Sequence, residues 1–397
     1  MKLMTVEAAR AAMLGEVKPL GTEHVSLARA IGRVLAAPVA ALRHQPPFAN
    51  SAMDGWAVRA ADTPGDLTII GESAAGHGFE GVLGAGQAVR IFTGAALPEG
   101  ADAVVIQEDA VRDGEQVRVP AAPVGDNIRH AGRDFQTGQT LLAPGIRIDP
   151  WRLSLCASAG RADVSVHRRP RIAILSTGEE IVEAPSVPGP FQIYDSGSPA
   201  LQAMVEAWGG EVTRLTGVRD RLDDVIAALR GADADLIVTV GGASVGDHDL
   251  VRKAARDLGL SLRVESVAVR PGKPTFFGVL GDGRRMLGLP GNPASAFVCA
   301  ELFLRPIIEA FQGLPLQAFT RRARLDAPLA ENGTREHWMR ARVHETDEGT
   351  RVEIYADQDS SLVTVFAAAN ALVCRPVNAP ALQAGADVEY LPLARGH

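Results

Sequence analysis

The sequence predicts a multidomain α/β protein, and three observations carry that reading. From Arg171 to about residue 316, short apolar β-branched runs alternate with segments of helical spacing, as a parallel-rich sheet covered by helices requires. Between residues 45 and 144 the runs are short, with Gly, Pro and Asp between them and no helical period, which reads as a β-barrel-like insert. From about Arg321 strand-like runs return, so a small C-terminal β domain is expected. The divisions expected are 1–44 with 145–169 as a discontinuous, mostly helical N-terminal domain, 45–144 as the insert, 170–316 as the α/β domain and 317–397 as the last. The α/β segment is expected to fold alone.

A chain of 397 residues has length for several cores. Hydrophobic residues make up 46% and charged residues 22%, ordinary proportions for a globular protein, and the aromatic fraction of 5% leaves Ala, Val and Leu to fill the cores. A net charge of -7 gives no general attraction for nucleic acid, so no nucleic-acid partner is expected. Cys156, Cys299 and Cys374 are isolated, an odd number without metal spacing, and read as reduced buried thiols of a cytoplasmic protein. No run reaches transmembrane length, and the N-terminus carries acid and is amphipathic, unlike a signal peptide, so no membrane association is expected.

Residues 5–17 read as a helix with Thr5 as N-cap. Val25–Val39 reads as helical or mixed, and His44-Gln-Pro-Pro-Phe48 as a boundary. Leu67–Ile70, Ala88–Ile91, Ala103–Ile106 and Gln116–Val119 are strands of the insert. Asp149-Pro150 through Gly160 has the form N-cap, N1 proline, helix, C′ glycine. In the α/β segment, strand 171–176 leads to a helix opened by Ser198-Pro199 and ended by Trp208-Gly209-Gly210. Strand Glu211–Leu215, helix Asp220–Arg230 and strand Leu236–Val240 follow, then a strand Val264–Val269. Pro293–Phe311 is a long helix with Phe297, Ala300, Leu304 and Ile307-Ile308 on one face. Val352–Tyr355, Ala371–Cys374 and Val388–Leu391 are strands of the last domain.

Four loops stand out. Gly241-Gly-Ala-Ser244-Val-Gly-Asp247-His-Asp249 follows Leu236–Val240 and precedes a segment of helical spacing. Ser176-Thr-Gly-Glu-Glu180, Arg270-Pro-Gly-Lys-Pro274 and Gly288-Leu-Pro-Gly-Asn-Pro-Ala-Ser295 each follow an apolar run. In a parallel sheet all four would lie at the carboxyl ends of strands, where ligands bind. Each alone is an ordinary β–α turn. Together they mix glycine, acid and base within about a hundred residues, which turns alone do not require. Glycine lets backbone N–H groups approach a phosphate. Glu179, Glu180, Asp195, Asp220, Asp247 and Asp249 offer oxygen donors of the kind Mg²⁺ takes beside substrate phosphates, although N-capping or a solvated carboxylate accounts for any one of them. Arg270 and Lys273 supply the opposite charge. In the insert, Asn127-Ile-Arg-His-Ala-Gly132-Arg-Asp134 gathers three bases, an amide and an acid, either a solvated loop or an oxyanion site.

GGASVGDHD, RPGKP, GLPGNPAS and STGEE resemble the signature set of the MoeA/gephyrin E-domain family, the molybdopterin molybdenumtransferases. Asn50-Ser-Ala-Met-Asp-Gly-Trp-Ala57 and Phe92-Thr-Gly-Ala95 match two further motifs, so the resemblance covers nearly the whole chain. It implies a molybdopterin-binding-type α/β domain and an elongated homodimer with a cleft drawing on both subunits. It further implies insertion of molybdate into adenylylated molybdopterin with release of AMP, Mg²⁺ being the cofactor and molybdate the co-substrate. The adenylyltransferase that makes the adenylylated substrate and recipient molybdoenzymes are the implied protein partners. Carried onto this sequence, the catalytic set is Asp54, Asp134, Glu180, Asp220 and Asp249, of which Glu180, Asp220 and Asp249 hold metal. The substrate-binding set is Thr93, Gly241, Gly242, Ser244, Arg270, Lys273, Pro290, Asn292, Pro293, Ser295, Arg340 and Ser361. Glu336–Arg340 and Asp357–Ser361 are the expected contributions of the last domain, with His337 and Trp338 structural. Departures are small: Trp56 where Tyr is usual, Arg270 for Lys, Glu179 for Asp, and Ser266 where some relatives carry lysine. Two rivals are the adenylyltransferase, which lacks the insert and the last domain, and a cofactor-binding scaffold without chemistry, against which Asp54, Asp249 and Lys273 speak.

Overall fold

The computed structural model describes residues 3–241, 250–315 and 320–393. The chain divides into two compact units, residues 24–166 and residues 1–23 with 167–397.

The larger unit is built on a six-stranded sheet. Glu211–Leu215, Arg171–Ser176, Leu236–Val240 and Arg285–Leu289 lie side by side and parallel; Phe276–Val279 and Ser261–Val264 continue the sheet antiparallel. Strand side chains alternate between faces, and both faces here are apolar. Ile172, Ile174, Leu236 and Val238 join one core with Leu201, Val205 and the helical residues Phe297, Val298 and Ile307. Ala173, Leu175 and Ile237 join the other with Val225, Leu229, Val251 and Ala254. Gly288 stands opposite Phe276 across the sheet, and a Cβ there would lie 1.9 Å from Phe276 Cε1. Only glycine leaves room for that ring.

Helix Val6–Leu14 is capped by Thr5, whose side chain accepts from the Ala8 N–H at 3.2 Å. The sequence places it with the N-terminal domain. Instead Val6, Ala9 and Met13 are buried in the first core of the α/β sheet, as are Trp338, Leu372 and Leu391 from the chain's last part. A fragment of residues 170–316 would therefore expose apolar surface at both places.

Four local readings also shift. Helix Gly197–Ala207 begins one residue before Ser198, and its first N–H groups, of Gly197 and Ser198, are taken by Asp195 Oδ1 at 3.0 and 2.9 Å. The next helix spans Leu222–Gly231 with Arg221 in the cap position, so Asp220 is no cap. The expected strand 264–269 is two strands: Ser261–Val264 in the α/β sheet and Val269–Arg270 in the C-terminal sheet, where Val269 faces Glu336. Pro293–Phe311 runs as a single rod with a widened π turn at Ala300–Leu304. That turn lies directly before Pro306, which has no N–H to return to the turn behind it.

The C-terminal strands close on themselves. Glu336–Thr346, Gly349–Ile354, Arg321–Leu325, Asp387–Pro392 and Ala371–Arg375 pair in that order, and Ala371–Arg375 pairs back to Glu336–Thr346. Ala323, Leu325, Val352, Val373 and Tyr390 fill this five-stranded barrel.

In the smaller unit the insert forms a six-stranded sheet from Ala103–Ile106 through Gly55–Val58, Gln87–Ile91, Gly65–Ser73 and Gln116–Val119 to Val111–Asp113. Apolar side chains occupy both faces, Trp56, Leu67 and Val117 on one and Val89, Ile91 and Val104 on the other. Helix Pro150–Ser158 has Asp149 as cap, accepting from Arg152 N–H at 2.8 Å, and Gly160 at φ +82°. Its Cys156 packs with Leu35, Ile148 and Val166. Val25–Val39 takes the mixed alternative, a strand end, a 3₁₀ turn at Leu27–Arg29 and extended chain, rather than a helix. Cys156 and Cys299 are buried; Cys374 is partly exposed.

Candidate functional site

A cleft of about 940 Å³ opens in the larger unit at the carboxyl ends of the central strands. Its floor is Val240 and Gly241, the end of the Leu236–Val240 strand. One wall comes from the loop after Arg171–Ser176. There Gly178 has φ +137°, and the Glu180 carboxylate folds back to 2.6 Å from where a Gly178 Cβ would stand. Glu180 lines the cleft. Asp220 Oδ2 accepts from the Glu179 N–H at 3.2 Å, which ties a second carboxylate to the same loop. Ile193 donates its N–H to the Glu180 carbonyl at 2.7 Å and brings Ile193 and Tyr194 to the cleft.

The opposite wall is the start of the long helix, with Pro290, Asn292, Pro293 and the buried Ser295. A strap from the barrel, residues 355–361, lies on it. Asn292 Nδ2 donates to Ser360 Oγ at 2.8 Å, and Ala294 N–H donates to the Ser360 carbonyl at 3.2 Å. These contacts carry Ser361 to the cleft. Ser361 gives both its N–H, at 2.8 Å, and its hydroxyl, at 2.6 Å, to Asp359 Oδ1. Those bonds hold the Asp359 carboxyl below the usual range.

Other expected residues stand differently. Arg270 and Lys273 are exposed on a loop whose Pro274 reaches the cleft. That loop leaves a strand of the C-terminal sheet, so three of the four motif loops, not four, follow strands of the α/β sheet. Arg340 is fully buried and reaches the strap rather than the cleft, donating from Nη2 to the Asp359 carbonyl at 3.1 Å. Asp195 lines the cleft and at the same time accepts from the first N–H groups of helix Gly197–Ala207. Gly242, Ser244, Asp247 and Asp249 lie outside the described residues. Among the described residues no group of three or more His, Cys, Asp or Glu stands together to hold a metal.

His337 and Trp338 are both buried, Trp338 in the core that the barrel strand shares with the α/β sheet. Burial, and then the guanidinium groups of Arg270, Arg340, Arg335 and Arg375, push the His337 pKa down to about 4. Burial raises the Glu336 carboxyl, against the Trp338 Nε1 hydrogen bond at 2.7 Å, which favours its ionised form.

In the smaller unit Asp54 and Thr93 meet. Asp54 Oδ1 accepts from the Thr93 N–H and hydroxyl, both at 2.7 Å. The backbone bond first, the hydroxyl second and Arg90 last hold the Asp54 carboxyl below its usual value, against a smaller effect of burial. The 127–134 run is drawn to the 45–52 segment: Ile128 pairs with Ser51, and the Asp134 N–H donates to the Gln45 carbonyl at 2.9 Å. Asn127, at φ +53°, donates from Nδ2 to the Val104 carbonyl at 2.9 Å and so serves the turn.

Three family descriptions match in succession: "MoeA N-terminal region (domain I and II)" over residues 4–160, "Probable molybdopterin binding domain" over 173–310, and "MoeA C-terminal region (domain IV)" over 322–393. The molybdopterin molybdenumtransferase of Nostoc sp. PCC 7120 is 35% identical over 94% of this chain and 89% of its own length. The chain belongs to the MoeA family. The Bacillus subtilis molybdopterin molybdenumtransferase is 34% identical over 93% of this chain and 89% of its own. Two crystal structures of the MoeA protein from Pyrococcus horikoshii align with TM-scores of 0.85 and 0.84, at 31% and 26% identity. The first covers all of both chains, the second 98% of this chain and 99% of its own.

Within this MoeA-family cleft, sequence reasoning overlooked Thr177, Ile193 and Tyr194. Tyr194 could have been found: it is an aromatic between two motif loops, in an Ile-Tyr-Asp-Ser run just before a helix. Gln358 and Ser360 fall within the expected Asp357–Ser361 run, but their individual contacts depend on how the strap lies across Asn292 and Arg340.

Proposed function

We propose that the chain is a molybdopterin molybdenumtransferase, inserting molybdate into adenylylated molybdopterin and releasing AMP. What supports this most is the cleft, which gathers Glu180, Asn292, Ser295 and Ser361 in a chain with MoeA relatives along nearly its whole length. Glu180 and Asp220 are hard oxygen donors tied to one loop, a set that fits Mg²⁺ with substrate phosphates completing its shell. Asp249 is proposed as a third. Bound there, Mg²⁺ would offset charge on the diphosphate and on the leaving phosphate oxygen. Lys273 and Arg270 would add positive charge at the rim. Gly241 would let backbone approach the phosphates, and Pro290 and Pro293 would hold that wall rigid.

Asp54, kept ionised by Thr93, is proposed to orient the molybdate or pterin end of the reaction, with Asp134 beside it in that task. A homodimer in the cytoplasm is proposed as the working form, with the four-part domain division as its plan. No helix among the described residues is long and apolar enough to cross a membrane. The deciding assay is AMP release by purified protein given adenylylated molybdopterin, molybdate and Mg²⁺. Release that depends on both molybdate and Mg²⁺ is expected. Release without molybdate would favour a hydrolase, and no release would reject the reading.

A further inference from the structure

We propose that Arg252 is a positioning residue: it holds both ends of the loop that carries Arg270 and Lys273, and so fixes where those cations meet an anion in the cleft. That part rests on the cleft being the substrate site; Arg252 itself is not among the residues that line it.

Arg252 is the third residue of helix Leu250–Asp257, and it is only 5% exposed. Its guanidinium lies over the Phe276 ring, 4.5 Å from the centroid, in the core that Val251 and Ala254 share with that ring. From this seat Nη2 donates to the Glu265 carbonyl at 3.2 Å and to the Pro274 carbonyl at 3.1 Å. Those carbonyls are the two ends of the 265–274 segment. Between them the Val267 N–H donates to the Lys273 carbonyl at 3.0 Å, so the segment is a loop closed at its base and crossed once above it. Lys273 and Arg270 stand exposed on it, and Pro274 lines the cleft. Burying a cation is costly unless its hydrogen bonds are made. An alkyl chain of that length would fill the same core without that cost, so the charge is placed for what it holds. A guanidinium stacks flat on a ring and still turns donors to carbonyls beside it, which an ammonium does not. Lys273 is a point charge on a flexible stem. Where that charge can reach is therefore set by how firmly its backbone is held. The helix behind the Gly241 turn and the loop of Lys273 share Arg252 as one anchor.

The test compares Arg252→Met, Arg252→Lys, Lys273→Ala and the combination of Arg252→Met with Lys273→Ala, all in the full chain. Amide hydrogen exchange is read at Val267, whose N–H crosses the loop, and at Val238 in the middle of the sheet as control. Affinity for ADP, which carries an adenylyl group and one further phosphate, is read by calorimetry. Expected for Arg252→Met is exchange about tenfold faster at Val267 and unchanged at Val238. ADP should bind it about tenfold more weakly. Arg252→Lys should recover part of both. The combined variant should bind ADP no more weakly than Lys273→Ala alone, because Arg252 acts through Lys273. Should the methionine chain not fold, Arg252→Lys decides by the same measures, and parent-like exchange at Val267 would overturn the proposal. Exchange that rises equally at Val238 would make Arg252 merely structural and overturn it. Additive losses of ADP affinity in the combined variant would mean that Arg252 acts apart from Lys273 and overturn it equally. Absence of ADP binding by the parent chain would overturn the reading of the cleft, and this positioning role with it; additive losses on a parent that binds ADP would overturn the positioning role alone.

Discussion

Thr93 places two hydrogen bonds on one oxygen of Asp54, from its backbone N–H and its hydroxyl, both 2.7 Å long. The two residues are 39 positions apart, and an acceptor with two donors on one oxygen favours its charged form.

Thr93→Val keeps the shape of the side chain and removes the hydroxyl bond only. The Asp54 carboxyl should then titrate higher, though still below its usual value because the backbone bond remains. In the parent chain Asp54 should stay ionised to lower pH than in the variant. Carbon-detected NMR titration of the Asp54 carboxyl checks this, and coincident curves would mean that the hydroxyl bond does not form in solution.

Glu180 and Asp220 share a loop through the Glu179 N–H. Glu180→Gln and Asp220→Asn remove one charge each with little change of shape, and Asn keeps an acceptor for Glu179. Loss of a charge-assisted contact of roughly 1.5–3 kcal/mol should slow single-turnover AMP release by about one to two decades. The Mg²⁺ concentration for half-maximal rate should rise in both. Parent-like Mg²⁺ dependence in either variant would remove that residue from the metal set.

Gly272 lies in the Arg270–Pro274 loop at φ +121°, and a Cβ there would stand 2.2 Å from Cys299 Sγ. Gly272→Ala should cost roughly 2–5 kcal/mol, from overpacking and backbone strain together. Adding Cys299→Ala should return part of it, since the thiol contact goes while the dihedral strain stays. Urea midpoints of the three chains decide; full recovery would place the whole cost in the thiol contact, and no recovery in the backbone.

His337, buried among arginines, has its pKa pushed down to about 4. The unfolded chain protonates near pH 6.5, so between about pH 6.5 and 4 the unfolded state binds the extra proton and the folded state does not. Stability should therefore rise with pH across that window and level off above it, with an amplitude on the order of 3 kcal/mol. His337→Gln should flatten the rise. An unaltered pH slope in that variant would assign the effect to other groups.

The sequence was most legible where chemistry is local. The Asp149 and Thr5 caps, the strand that ends at Gly241 and the Pro293 helix start are each specified by neighbouring residues. Partnership at long range was not legible. That Val269–Arg270 joins the barrel, that Val6 and Met13 fill the α/β core, and that Arg340 turns inward all depend on contacts far away in the chain. Motif residues at the cleft, such as Glu180 and Asn292, were named from the sequence because loops after parallel strands converge at one edge. Tyr194, in the two-residue strand Ile193–Tyr194, has no period to mark it and was legible only from its place between two motif loops.

The pairing of Val269 and Arg270 with Glu336 and His337 has a consequence for building hybrids of this chain. The basic loop is threaded through one fold and stitched to the rim of another. A donor barrel grafted after residue 320 would leave Lys273 without its anchor unless it offered a bare parallel edge in the same register. Recombination between homologues should therefore be tolerated only when the stretch around residue 270 and the strand from Glu336 are inherited from the same parent.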